Sequence, residues 1–285
     1  MRRERTEWRG LPAWQLSDGG TSAVVVPGRG AKIVSLRDGG GREWLAQGDG
    51  RAVPAPGIPF EEAEMCGWDE CAPTVSPSPT PRGDTAPDHG EAWDRAWKEV
   101  DGGLEIDLPS VGVRLRRTTA LHPDGTLALT YRARAGIRGT TLLWAAHPLF
   151  RLGARDRISV DASAALWDVS GEPAAPTSRT RPEAPAPGSS VKFYTAPQER
   201  PRWARIDRPD GSGLTMTWRG AAIRTLGVWI DRSRFATEDV VAFEPSTGWY
   251  DSLEAATHAG RVLRLAPGQT SEWTLSIDFR PTRRN

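Results

Sequence analysis

The strongest constraint on this chain is a period-two alternation of apolar and polar residues, broken repeatedly by Asp-Gly and Pro-Gly turns. Thr126-Leu127-Ala128-Leu129-Thr130-Tyr131-Arg132-Ala133-Arg134 alternates cleanly, and the run from Val113 to Leu121 before it is rich in alternating and β-branched residues. Successive side chains of a strand point to opposite faces, so this pattern buries one face and wets the other. Between the two runs stands Pro123-Asp124-Gly125, a hairpin signal, because glycine supplies the positive φ that a tight turn demands. The arrangement recurs around Pro209-Asp210-Gly211, between runs starting at Trp203 and Leu214. It returns around Pro267-Gly268-Gln269, between Val262 to Leu265 and Trp273 to Phe279.

No run at helical spacing is long enough for a convincing amphipathic helix, and 30 glycines and 24 prolines break the chain at strand-like intervals. Many short strands separated by turns predict an all-β fold, a sandwich or barrel. The 285 residues suit one large all-β domain or two ordinary ones. Strands of one style flank a Pro/Ala-rich stretch at about 171–190, which favours a single domain over 1–285 with that stretch as an exposed insertion. Residues 47–96 also break the alternation. A loop that long in a compact domain is functional or disordered. Cys66, Trp68, Trp93 and Trp97 within it mark a packed loop region lining a site.

Charge narrows the function. The 37 basic and 36 acidic side chains leave a net charge of +1, with no excess to track a phosphate backbone, so nucleic acid is not expected as the main partner. Nothing approaches the ~20 apolar residues of a membrane span, and no apolar run follows the charged start Met1-Arg2-Arg3-Glu4-Arg5 to make it a signal peptide. Cys66 and Cys71 do not have zinc-knuckle spacing and have no second Cys or His pair nearby. They are expected as free thiols in a reducing compartment, in a soluble cytoplasmic protein without metal or cofactor.

Two short segments carry the chemistry. Trp144-Ala145-Ala146-His147-Pro148-Leu149-Phe150 and Val241-Ala242-Phe243-Glu244-Pro245 each read as an apolar strand delivering one ionisable group at its end. Strand interiors avoid charge, since an ionised group out of water costs several kcal/mol unless paired. One acid and one base on neighbouring strands is what proton transfer needs. The apolar approach to Glu244 is expected to raise its pKa and make it a better base. Of the four histidines, His122 and His258 belong to turns, while His89 sits in Pro87-Asp88-His89-Gly90. Glu61, Glu62, Glu64, Asp69 and Glu70 crowd the long loop. Among 13 tryptophans, Trp68, Trp93, Trp97 and Trp229 are the ones expected near a ligand, since indole offers a flat face to a pyranose.

These residues run in the order found in the aldose 1-epimerase (galactose mutarotase-like) superfamily, which the chain resembles. Gly30-Ala31-Lys32-Ile33-Val34-Ser35-Leu36 with Arg42-Glu43-Trp44-Leu45 looks like the family's opening hairpin. Asp88-His89-Gly90 with Arg95 and Trp97 is similar to its His-Gly loop. Trp144 to Phe150 resembles the strand of the catalytic His, and Phe243-Glu244-Pro245 with Asp251 resembles the segment of the catalytic Glu. The family's Asn-Arg pair upstream of the His-Gly loop is absent; Gly67-Trp68-Asp69-Glu70-Cys71-Ala72-Pro73-Thr74 stands there, which marks a divergent branch.

The resemblance implies a large antiparallel β-sandwich and an isomerase that interconverts sugar anomers without a cofactor. Glu244 would be the general base on the anomeric hydroxyl and His147 the general acid at the ring oxygen, with His89 holding the ring. Asp69, Glu70, Arg95 and Trp229 are the further substrate-binding candidates. An anionic or phosphorylated sugar would find Arg29, Arg82 and Arg95. The competing readings are a sugar-binding or sensing protein on the same scaffold, and a glycoside hydrolase or lyase using Glu244 with Asp69 or Glu70.

Overall fold

Alternation in the sequence becomes two antiparallel sheets packed face to face, in a computed structural model that describes residues 1–50, 56–170 and 175–281. The larger sheet begins at the edge strand Arg2–Trp8 and continues through Leu11–Asp18, Thr21–Val26, Lys32–Arg37 and Trp68–Cys71 to its centre at Ala145–Arg151. Beyond lie Asp239–Ser246, Thr225–Arg232, Ser190–Tyr194, Trp167–Asp168 and Ala175–Pro176. The smaller sheet has the order Arg157–Val160, Trp203–Asp207, Gly213–Arg219, Thr270–Arg280, Leu127–Ala135, Val113–Leu121, Gly103–Leu108, Lys98–Val100. Among the described residues the single α-helix is Leu253–His258, capped by the Ser252 hydroxyl, which accepts from the Ala255 N–H.

The alternation is realised residue by residue. In Leu127–Ala135, Leu127, Leu129, Tyr131, Ala133 and Ala135 are buried, while Thr130, Arg132 and Arg134 face water. The hairpin predicted around Asp124-Gly125 pairs Leu121 with Leu127, and that around Asp210-Gly211 pairs Asp207 with Gly213. The third differs from expectation. Leu263–Leu265 pairs with Thr140–Leu142, while Thr270–Arg280 lies between Leu127–Ala135 and Gly213–Arg219. A strand of eleven residues has two long partners available in the smaller sheet, and the Pro267-Gly268 turn carries the chain into it from the separate two-stranded pair.

The long irregular region of 47–96 contains a strand that the expected loop did not include. Trp68–Cys71 is wholly buried and pairs with Ala145–Arg151 in the middle of the larger sheet. Its four residues are too short a run to show a period. Residues 51–55 of that region and 171–174 of the expected insertion lie outside the described residues; 175–190 are largely exposed. Both cysteines are free and buried.

One ionic cluster joins the layers. Arg117 and Tyr131, from the smaller sheet, meet Glu70 of the larger one. Arg117 Nη1 donates to Glu70 Oε1 at 2.6 Å, the Tyr131 hydroxyl donates to the same oxygen at 2.8 Å, and Trp144 Nε1 donates to Oε2 at 2.8 Å. The other arm of Arg117 donates to the Ala31 carbonyl. Neither charged side chain is exposed at all. Burial pushes the Glu70 carboxyl above its usual range, and the Arg117 charge and three donors oppose it.

Removing one member of such a pair strands the other. Glu70→Ala should lower unfolding free energy by about 3–5 kcal/mol, whereas Arg134→Ala on the wet face of Leu127–Ala135 should change it by under about 0.5 kcal/mol. Urea unfolding of both variants is the check, and equal small effects would show that the cluster carries no stability.

Candidate active site

The site forms on the face of the larger sheet turned away from the smaller one. Phe150, Phe243, Val241, Val228 and Phe193 point into the core between the sheets, so the alternate residues of the same strands point the other way. Cross-strand register then sets the neighbours. His147 is opposite Asp69. The pairs Ala145 with Ser246 and Leu149 with Ala242 bracket His147 and Glu244, bringing the two side by side. Glu244 is opposite Gly227, Trp229 is opposite Lys192, and Tyr194 is opposite Gly227. Neither His147 nor Glu244 stands at a strand end as expected. Each is inside its strand, and both are buried.

Glycine at 227 makes the room. A Cβ there would lie 3.1 Å from Glu244 Oε2 and 3.1 Å from the Tyr194 ring, so the absent side chain leaves space for both. On the other side, His89 has φ 58° and is followed by Gly90 at φ 74°. A Cβ on Gly90 would meet the Ala72 carbonyl oxygen at 2.1 Å. This close approach bends the Asp88-His89-Gly90 turn over the sheet and brings His89 to His147, with ring centroids 5.2 Å apart.

These elements enclose a cavity of about 240 Å³. Its floor is His147, Glu244 and Lys192; its walls include Trp229, Phe60 and His89. The Phe60 ring stacks on His89 at 3.6 Å and meets His147 edge-on at 5.5 Å. Trp229 lies 5.9 Å from the His147 ring on another side. Phe235, exposed at the mouth, extends that aromatic wall 6.2 Å from Trp229. His147 Nε2 is 3.9 Å from Glu244 Oε1, too long for a hydrogen bond but suited to two groups working on one small molecule.

Burial sets the charges. Desolvation holds the His147 imidazole well below its ordinary pKa, and the neighbouring His89, Lys192 and Lys32 push the same way. Desolvation raises the Glu244 carboxyl above its usual range, while Lys192, with Nζ 2.8 Å from Oε2, pulls it back. Burial alone would lower the Lys192 ammonium, but Asp251, 2.7 Å away, and Glu244 outweigh it and raise it.

The other candidates are scattered. Asp69 shares the face of His147 but is tied to Lys32 Nζ at 2.5 Å. Glu70, the next residue of the strand, points into the core and has both oxygens occupied. Arg95 is exposed and reaches Glu91 at 3.7 Å, away from the cavity. Trp229 does line it. Trp68 packs on Phe150 in the core, Trp97 is also core, and Trp93 packs edge-on against Phe60 behind the wall. Glu61 reaches the cavity, whereas Glu64 pairs with Arg9. His122 is exposed in its hairpin; His258 ends the short helix and does not form a turn. Sequence reasoning missed Lys192 and Phe60. Lysine is rare here, three of the 37 basic residues, and that rarity was the one visible signal for Lys192. Among the described residues no cluster of His, Cys, Asp and Glu has the arrangement of a metal site, and no helix is long and apolar enough to cross a membrane.

No family model matches the sequence, and no curated protein matches it. Solved structures match in shape. A candidate aldose 1-epimerase from Escherichia coli K12 is 19% identical with a TM-score of 0.71, over 94% of this chain and 98% of that one. A galactose mutarotase related enzyme from Lactobacillus acidophilus is 12% identical at TM-score 0.70, covering 95% and 98%. A galactose mutarotase-like protein from Clostridium acetobutylicum is 14% identical at 0.67, covering 99% and 98%. The fold is therefore that of the galactose mutarotase-like proteins, with the large antiparallel sheets expected from the sequence.

The geometry makes a direct statement about His147. Its imidazole should be uncharged throughout the range from about pH 6.5 to 8, where an ordinary histidine still carries part of its charge at the lower end. A nitrogen-15 NMR titration, with the resonance assigned by its loss in His147→Asn, tests this. A protonation midpoint at or above about 6.5 would contradict the burial argument.

Proposed function

We propose that this protein is an aldose 1-epimerase-like isomerase that interconverts the anomers of an uncharged monosaccharide. The observation that carries the reading is the placement of Glu244 and His147, 3.9 Å apart on the floor of one cavity. A cavity of about 240 Å³ is small for a drug-sized ligand and suits a single sugar ring. Trp229 and Phe60 supply apolar faces for the ring's C–H surface.

The chemistry follows from the charges. Glu244, ionised beside Lys192, takes the proton of the anomeric hydroxyl. The electron pair of that O–H bond forms the carbonyl as the bond from the anomeric carbon to the ring oxygen breaks. The ring oxygen leaves with its bonding pair and receives the proton that Glu244 has taken up. His147 is neutral, so it keeps its own proton and donates an N–H hydrogen bond to the charge developing on that oxygen. Rotation about the bond next to the carbonyl presents its other face. Reclosure with the roles reversed restores both residues and gives the other anomer.

Charge around the cavity argues for the substrate class. Glu61, Asp88, Glu244 and Asp251 line it, and Lys192 is the one lysine or arginine among the described lining residues. That ammonium already spans two carboxylates. The arginines that suggested an anionic sugar are elsewhere: Arg29 stacks over Trp93 at 4.8 Å, and Arg82 donates to the Pro109 carbonyl at 2.9 Å. A phosphate or carboxylate on the ligand would meet unfavourable like charge. The hydrolase reading loses its expected partners too, since Glu70 is in the core and Asp69 is held by Lys32.

Two measurements test this. Glu244→Gln keeps shape and hydrogen bonding but removes the base, so anomer exchange followed by NMR should fall by ~10²–10⁴-fold with sugar affinity nearly unchanged. Retention of most activity would rule Glu244 out as the base. A panel of aldoses beside their 6-phosphates and uronic acids should show exchange with the neutral sugars and little with the anions. Wild-type protein that binds a neutral sugar by calorimetry but leaves exchange at the spontaneous rate is a sugar sensor on this scaffold.

A further inference from the structure

Lys192 sits where a buried carboxylate needs it. Its Nζ is 2.8 Å from Glu244 Oε2 and 2.7 Å from Asp251 Oδ1, and its side chain is 15% exposed. Asp251 is itself fixed. Its Oδ1 accepts from the Tyr194 hydroxyl at 2.7 Å, and its carbonyl accepts from the Val75 and Ser76 N–H groups at 2.9 and 3.0 Å. A continuous chain of contacts therefore runs from Tyr194 through Asp251 and Lys192 to Glu244, which faces His147 on its other side.

A carboxyl with no exposure to water would take up a proton unless a counter-charge replaced its hydration. We propose that Lys192 is a positioning residue of the acid–base pair: clamped between Glu244 and Asp251, its ammonium keeps Glu244 ionised and aimed into the cavity. Asp251 acts in turn through Lys192, holding the ammonium in place while sharing its charge. This rests on the reading of Glu244 as the base. It also bears on why Lys192, the one lysine or arginine among the described lining residues, is a poor anion receptor: two of its three donor directions point to carboxylates of the protein.

Other ionisable groups face Glu244. His147 and His89 lie on the cavity floor and wall, Asp88 and Glu61 come from the loops above, and Tyr194 and Cys71 from flanking strands. Burial keeps the Tyr194 and Cys71 pKa values well above their ordinary ones, so neither supplies charge at neutral pH. Among the described residues, Lys192 makes the contact of hydrogen-bond length to the Glu244 carboxylate; His147 stands at 3.9 Å.

The decisive experiment is a carbon-13 carboxyl titration of Glu244, assigned by its loss in Glu244→Gln, in wild type and three variants. Lys192→Met should raise the Glu244 midpoint by ~1–3 pH units, the effect of losing an adjacent opposite charge. Asp251→Asn should lower it, because Lys192 then serves Glu244 alone. Lys192→Arg, which keeps the charge, should stay closer to wild type than Lys192→Met. The acid limb of kcat/KM should move with the midpoint in each variant, with a smaller change in KM. An unchanged midpoint in Lys192→Met, or shifts of one sign in Lys192→Met and Asp251→Asn, would overturn the proposal. Should Lys192→Met fail to fold, Lys192→Gln, which keeps the stem and an N–H donor but removes the charge, puts the same question: an unchanged Glu244 midpoint there would equally overturn the proposal. The titration needs no turnover, so absence of anomer exchange in wild type would defeat the functional reading without touching this result.

Discussion

The Arg117–Glu70 ion pair is the constraint on which the site's geometry rests. It carries charge across the core between the two sheets, and both groups are without solvent. Buried pairs of this kind contribute little net stability against an apolar replacement, yet breaking one is costly. Their value is in fixing register, and here the register matters. Glu70 pairs with Ala146, and the next rung pairs Asp69 with His147. Tying Glu70 to Arg117, Tyr131 and Trp144 on the core side therefore fixes where His147 emerges on the other side. A slip of one residue would turn His147 inward and Ala146 outward.

The same strand shows how close the two roles lie. Asp69 and Glu70 are neighbours in sequence and belong to opposite faces of the sheet, one beside His147 and one in the core. Each has a dedicated cation, Lys32 for Asp69 and Arg117 for Glu70. Glu70 has both oxygens occupied in the core, whereas Asp69 gives one oxygen to Lys32 and keeps the other, also buried, without a partner. Glu244 differs in sharing its cation with Asp251. A shared ammonium leaves a carboxylate ionised but incompletely neutralised, which is the state a base needs. A carboxylate neutralised as fully as Glu70 is structural.

Much of the fold was legible because strands announce themselves by alternation. The two hairpins at Asp124-Gly125 and Asp210-Gly211 form where turn chemistry puts them. Trp68–Cys71 was not legible, since a fully buried strand of four residues, bearing two charged ones, carries no period and resembles loop. Read as loop, Asp69 and Glu70 look alike as substrate-binding candidates; as a strand, alternation puts them on opposite faces. His147 and Glu244 were readable from the oddity of a charge in an apolar run. Lys192 was not, because Ser190–Tyr194 alternates in the ordinary way and a lysine on a half-wet strand calls for no explanation. Nor could Phe60 be read as a wall of the site. Its position depends on how the loop over the sheet folds back, with Phe60 stacked on His89 and edge-on to His147.

Function gains from the division of labour between the two faces. The core face of the larger sheet is apolar and tightly filled, so its backbone is a rigid platform. Away from that core the sheet carries smaller apolar clusters, one around Ala13, Val26 and Val34 and one around Cys66, Leu149 and Ala242 with Trp229 packed on it, and the polar groups stand beside the second. Loops from distant parts of the chain then cover these groups and remove them from water. Removing water is what makes the charges unequal: it neutralises His147, pushes Glu244 toward protonation and makes Lys192 indispensable to keep it charged. An exposed version of the same three residues would have near-ordinary pKa values and no reason to be paired. The cover loops thus set the electrostatics of the site, since these shifts exist only while the groups are kept from water.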